Sequence, residues 1–132
     1  MDKIILDTNG FLRFLLNDIP EQSEEISKLL VKAKAKKIEI FVPQIIIFEI
    51  EFALNKYYKF PKAEIIDKLG VLFATSYLKI QDVNVFQEAL RLFSDKNVDF
   101  VDCFLVCNAK SKNTTLFTFD NNLKKLLEPV LR

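Results

Sequence analysis

Four acidic residues stand out for where they fall in the chain: Asp7, Glu49, Asp102 and Asp120. Asp7 ends the β-branched run Lys3–Leu6 (KIIL), and Asp120 ends Thr115–Phe119 (TLFTF). Glu49 and Asp102 interrupt two almost wholly apolar stretches, IIIFEIEFAL and FVDCFLVCNAK. A carboxylate in apolar surroundings must be paired, protonated or bound to a cation, because desolvating an unpaired charge is costly. The chain contains no His. That removes Ser-His-Asp triads, Cys-His pairs, His-ligated zinc and imidazole acid–base chemistry. Several carboxylates without His or thiolate suit a hard cation, Mg2+ or Mn2+. Such a cation lowers the pKa of a bound water and clamps a phosphate for in-line attack. The competing structural account makes Asp7 and Asp120 helix caps and pairs Asp102 with Arg91 or Lys110.

Two of these acids have rivals close by. Glu49 and Glu51 lie about 200° apart around a helix. Glu49 has Ile45, Ile46, Phe52 and Ala53 one turn away, and Glu51 has Ile47, Phe48, Leu54 and Asn55, so Glu49 is expected to be the buried acid. Asp99 follows the mostly polar run SDKNV and is the natural N-cap, accepting the amide of Asp102. Asp102 then falls one turn inside the helix, where the positive end of the dipole favours a charged carboxylate.

The elements that position these acids emerge from pattern. KIIL reads as a buried strand, Asn9–Leu16 as a short helix, and Asp18-Ile-Pro-Glu21 as the start of a helix running to about Lys37. Ile38–Val42 is a strand, and Pro43 opens a long apolar helix to about Tyr58. Pro61–Phe73 is a helix, Tyr77–Ile80 a strand, and Asp82 caps a helix through Phe93. Asp99 begins the next helix, Thr115–Phe119 is the last strand, and Asn121–Leu127 is the closing helix. Strands alternating with helices imply a parallel sheet covered on both faces, with ligands bound beyond the carboxyl ends of the strands. The basic stretch Lys32–Lys37 (KAKAKK) reads as a solvated helix end rather than a binding patch.

Composition sets the outer limits. The 132 residues fit one domain spanning 1–132, half of them are hydrophobic, and 13 are Phe, enough for a real core. With 19 Lys plus Arg against 18 Asp plus Glu, the net charge of +1 draws in no polyanion by its overall field. Cys103 and Cys107 are one turn apart on an apolar helix and are expected to pack as small hydrophobes in a reduced compartment. The N-terminal residues show no signal-peptide pattern and no apolar run is long enough to span a membrane, so a cytoplasmic protein is expected. The apolar helices are more numerous than one small sheet needs, which predicts a homodimer. Most aromatic residues read as core, with Phe11, Phe14, Leu15, Ile26 and Leu30 as an alternative groove for a partner segment.

ILDTN (5–9), VPQIIIFEIEFAL (42–54), DFVDCFLVCNA (99–109) and TFD (118–120), in that order, resemble the acidic motifs of PIN-domain nucleases. The run from DTNGFLRFLLND onward is most similar to VapC-type toxin ribonucleases, and the resemblance covers nearly the whole chain. It implies a three-layer α/β/α sandwich with a central parallel sheet. It also implies an endoribonuclease that hydrolyses RNA by metal-activated water with Mg2+ or Mn2+, a homodimer, and a cognate antitoxin that blocks the site. Carried over by position, the metal-site acids are Asp7, Glu49, Asp102 and Asp120. Thr8 or Asn9 and Thr118 fall where small polar residues orient carboxylates or water. Asn122 stands where a further acid is frequent, which puts a second metal in question. Arg13 and Lys110 are the candidate RNA contacts. The alternatives are a PIN-type nuclease for RNA processing or DNA cleavage, and a receiver-like signalling domain. The receiver needs an acidic pair after the first strand and an Asp ending a central one, whereas the first strand here ends in one acid and Ile38–Val42 ends at Pro43.

Overall fold

Three short parallel strands and seven α-helices make up the computed structural model, which describes residues 1–127. They separate into two units, Met1–Asp82 and Val83–Arg132.

The first unit holds the sheet, in the order β1 (Asp2–Ile5), β2 (Ile38–Val42), β3 (Leu78–Ile80), all parallel. Residues on a strand alternate between faces. The face carrying Ile40, Val42, Leu78 and Ile80 is buried, while Lys3, Ile5, Phe41 and Lys79 are exposed. The pattern of KIIL predicts a buried strand. β1 instead starts one residue earlier, lies at the sheet edge and buries little, with Ile5 64% exposed.

Between the strands run α1 (Thr8–Leu16), α2 (Pro20–Lys34), α3 (Gln44–Phe52) and α4 (Lys62–Phe73). Phe11, Leu30, Ile47, Ile50, Leu54, Leu69 and Leu72 close the core beneath the sheet. Asp18 does not cap α2. The N-cap is Ile19, with Pro20 opening the helix, and the Asp18 carboxylate turns back to Arg13 Nε at 3.3 Å. α2 ends at Lys34 rather than near Lys37, because Lys36 takes the left-handed conformation at φ 62° and its amide turns back to the Ala33 carbonyl. The helix after Pro43 is not the one continuous α-helix that its apolar run predicts. At Ala53–Tyr57 it widens to a π-helical turn, closed by Tyr58 N–H to the Ala53 carbonyl. A π-turn inserts a residue into the helical register, so it rotates the residues beyond it.

The second unit is helical: α5 (Val83–Asp95), α6 (Phe100–Ser111) and α7 (Asn121–Leu127). α5 and α6 pack through an aromatic cluster, Phe86 against Phe104 at 4.6 Å and Phe100 at 6.2 Å, and Phe93 edge-on to Phe100 at 5.6 Å. Cys103 is fully buried and Cys107 half-buried, and both are free thiols. Burial pushes the Cys107 thiol up from its ordinary value, with Glu88 adding to it, as suits a packing residue rather than a nucleophile.

Thr115–Phe119 is not a strand. Its residues pair with no strand among those described, and Phe117 and Phe119 are 78% and 85% exposed, resting edge-to-face on each other. The run has the β-branched and aromatic composition of a strand, but strand structure exists only where a neighbour supplies the ladder.

Candidate acidic site

Asp7 stands two residues past the carboxyl end of β1 and caps α1. Its Oδ1 accepts from the Gly10 amide at 3.0 Å, satisfying one of the orphan donors of the helix start. Thr8, in the first turn, donates from Oγ1 to Glu49 Oε1 at 3.1 Å. The first unit therefore brings Asp7, Thr8 and Glu49 to one place, and Asn9 is exposed beside them.

Glu49 is exposed and Glu51 is the buried acid, the reverse of the expected assignment. The apolar neighbours of Glu49 mislead, because Ile45 and Phe52 are themselves 62% and 54% exposed, whereas Ile47 and Leu54, beside Glu51, are core. α3 is apolar all round, so composition alone does not tell its inner face from its outer one.

Gly10 is fixed by close packing. A Cβ there would meet Leu6 Cδ1 and Cγ at 2.6 Å. Replacing a helical Gly by Ala ordinarily stabilises by about 0.5–1 kcal/mol. At this position Leu6 must move, and Leu6 is joined to Asp7. Gly10→Ala is expected to lower stability by about 1–2 kcal/mol, read as a fall in Tm, and a rise in Tm would contradict the packing described.

In the second unit Asp99 occupies the N-cap position of α6 with extended backbone, but its side chain makes no cap hydrogen bond, so the expected bond to the Asp102 amide is not formed. Asp102 lies in the first turn, partly buried. Burial first, then the like charges of Asp99 and Asp120, hold its carboxyl above the ordinary 3.8. Neither structural partner considered for it is engaged there. Arg91 pairs with Glu88, and Lys110 Nζ donates to the Leu126 carbonyl. No hydrogen bond or ion pair holds the Asp102 carboxylate among the described residues.

Asp120 caps α7, its Oδ1 accepting from the amides of Asn122 at 2.8 Å and Leu123 at 3.3 Å. Thr118 Oγ1 accepts from the Asp120 amide at 3.0 Å, which fixes the carboxylate's entry into the helix. Asn122 is exposed, its amide engaged by Asp120.

Of the two candidate RNA contacts, Lys110 is exposed. Arg13 is buried, with Nη2 donating to Tyr58 Oη at 2.9 Å and Nε beside Asp18, so its guanidinium is spent on tying α1 to the turn after α3. No sequence signal could have found the Tyr58 contact, because the two residues lie too far apart in the chain for any local pattern. The groove expected from the first two helices also differs. Phe11 and Leu30 are core, and Phe14 and Leu15 instead line a hollow of about 310 Å3 with Asp67, Lys68 and Val71 of α4.

The acids are of the kind a hard cation takes: oxygen donors only, with Glu49 oriented by Thr8 and Asp7 and Asp120 by backbone amides. Among the described residues no three His, Cys, Asp or Glu side chains are gathered closely enough to cage an ion by themselves.

The sequence pattern of the PIN domain matches residues 4–128. The chain is also similar to a VapC ribonuclease of Aquifex aeolicus (strain VF5), 26% identical over 123 residues that cover 92% of this chain and 90% of that protein.

Proposed function

The chain belongs to the PIN-domain family, whose three-layer α/β/α class it shares, and from that premise we propose that it is an endoribonuclease, the toxin of a toxin–antitoxin pair, using Mg2+ or Mn2+. The observation that carries this reading is the match to the PIN pattern over residues 4–128, with Asp102 inside it a partly buried carboxylate that has no hydrogen-bonding or ion-pairing partner among the described residues. The match across both units supports one domain over 1–132.

By the motifs they stand in, Asp7 and Glu49 of the first unit and Asp102 and Asp120 of the second are the acids that would serve as metal ligands. When bound, the ion acidifies water and neutralises charge on the scissile phosphate. The protein's own part is orientation. Thr8 fixes one oxygen of Glu49, the Gly10 amide fixes one oxygen of Asp7, and the Asn122 and Leu123 amides fix one oxygen of Asp120. In each case the other carboxylate oxygen is left for coordination. Asn122 brings no charge to the position where a further acid is frequent. The test is incubation with total cellular RNA and Mn2+, with and without EDTA. Cleavage is expected with Mn2+ and lost with EDTA, and cleavage indifferent to chelator would refute the reading.

The same reading includes a homodimer and a cognate antitoxin in the cytoplasm, where the two free thiols stay reduced. No helix among the described residues is long and apolar enough to cross a membrane. Ile45 and Phe52 on α3 and Tyr57 on the π-turn are 62%, 54% and 78% exposed, with Phe52 and Tyr57 in edge contact. Exposed apolar side chains in a group mark interaction surfaces, and this group supports the dimer. Light scattering is expected to give twice the chain mass for the wild type and a monomer for Phe52→Asp. A wild-type monomer well above assay concentrations would refute the dimer.

A further inference from the structure

Parallel strands put all their amino ends on one side, and in this sheet that side carries an open cleft of about 470 Å3. Its lining includes Lys34 from the end of α2, Lys36 from the turn after it, Lys79 from β3, and the half-buried ring of Tyr77 just before β3, with Glu39 as the one acid. None of the three ammonium groups has an ion pair or hydrogen bond among the described residues. Three ammonium groups against one carboxylate leave the lining net positive, which a polyanion complements. Lys36 also sits at φ 62°, a conformation that favours glycine and costs a lysine about 1 kcal/mol. The position thus carries a charge at the expense of stability.

We propose that this cleft is a second binding site for single-stranded RNA, in which the three lysines hold backbone phosphates and a base stacks on Tyr77. An aromatic face set among unpaired cations is the combination that grips single strands without reading sequence. The cleft lies at the opposite end of the strands from Asp7, about 15 Å along them, so it would hold a stretch of RNA away from the cut. The inference rests on the RNA-cleaving reading for the nature of the polyanion.

Binding of a fluorescein-labelled 20-nucleotide single-stranded RNA, followed by anisotropy in EDTA, separates the two. For the triple variant Lys34→Ala, Lys36→Ala, Lys79→Ala, the salt slope of log Kd is expected to fall by about 2, with binding about 100-fold weaker at 0.1 M salt and nearly equal to wild type at 1 M. Tyr77→Leu should weaken binding about tenfold. Lys36→Gly provides a fold-independent check: it should raise Tm while weakening RNA binding. Unchanged affinity and slope in the triple variant would overturn the site. So would displacement of the RNA by polyglutamate at equal charge with no effect of Tyr77→Leu, since that marks a charge-only surface for acidic protein. Lysine-dependent binding in a protein that fails to cut RNA with Mn2+ would sink the nuclease reading and leave the cleft standing. Cutting with no lysine effect would do the reverse.

Discussion

Asp102→Asn is expected to reduce RNA cleavage by about 10²–10³-fold, the scale lost when charge stabilisation at the reacting phosphate is removed, while the protein stays folded. The substitution keeps shape and removes the charge that burial, Asp99 and Asp120 oppose. Because the folded-state pKa of Asp102 is raised, its protonated form favours folding. The penalty of ionising it is absent below the ordinary 3.8 and is incurred as pH rises through the raised folded value. Asp102→Asn should therefore melt slightly above wild type at pH 7, by less than about 4 °C, and the difference should vanish below pH 3.8. Asp99→Asn is the control. Asp99 makes no cap hydrogen bond, so Asn at that position keeps the extended backbone and most of the activity. If Asp99→Asn abolishes cleavage and Asp102→Asn does not, the ligand assignment in α6 is wrong.

The largest effect on stability is expected at Phe86→Ala, a loss of about 4 kcal/mol and a fall in Tm of about 15 °C. Phe86 is fully buried and its ring meets both Phe100 and Phe104, so truncation removes apolar burial and opens a cavity between α5 and α6. Phe117→Ala serves as the contrast. Phe117 is 78% exposed, and its loss should change stability by no more than about 0.5 kcal/mol. Urea titration of both variants checks this, and a cost below about 1 kcal/mol for Phe86→Ala would contradict the packing of the second unit.

Whether a feature of this fold is legible in the chain depends on whether it is local. β2 is legible with its bounds at Ile38–Val42, and α7 with its start at Asn121, because alternation or a preceding Asp marks each within a few residues. The acids are legible as types and positions, and the caps at Asp7 and Asp120 are the bland reading of those same residues. Both are compatible, since a cap engages one carboxylate oxygen and leaves the other. The features that escape are long-range. Asp18 has the sequence setting of a capping box, yet its carboxylate goes to Arg13, a preference set by the buried guanidinium rather than by Glu21. Glu51 rather than Glu49 is buried because α3 has no polar face to orient it. Thr115–Phe119 has strand composition without a strand partner among the described residues. KAKAKK reads as a solvated helix end, but the Lys79 and Tyr77 that face it lie beyond α3 and α4 in the chain, and no local pattern discloses them.

The metal-dependent hydrolysis of RNA proposed for this chain, which has no His, would leave its signature in the chemistry of the cut ends. Attack of water on phosphorus with the 3′ oxygen leaving yields 5′-phosphate and 3′-hydroxyl ends. RNA digested by the purified protein in Mn2+ should carry those ends alone, and the same digestion in EDTA or with Asp102→Asn should yield none. Products ending in 2′,3′-cyclic phosphate would contradict this mechanism, because they arise from attack by the RNA's own 2′-hydroxyl.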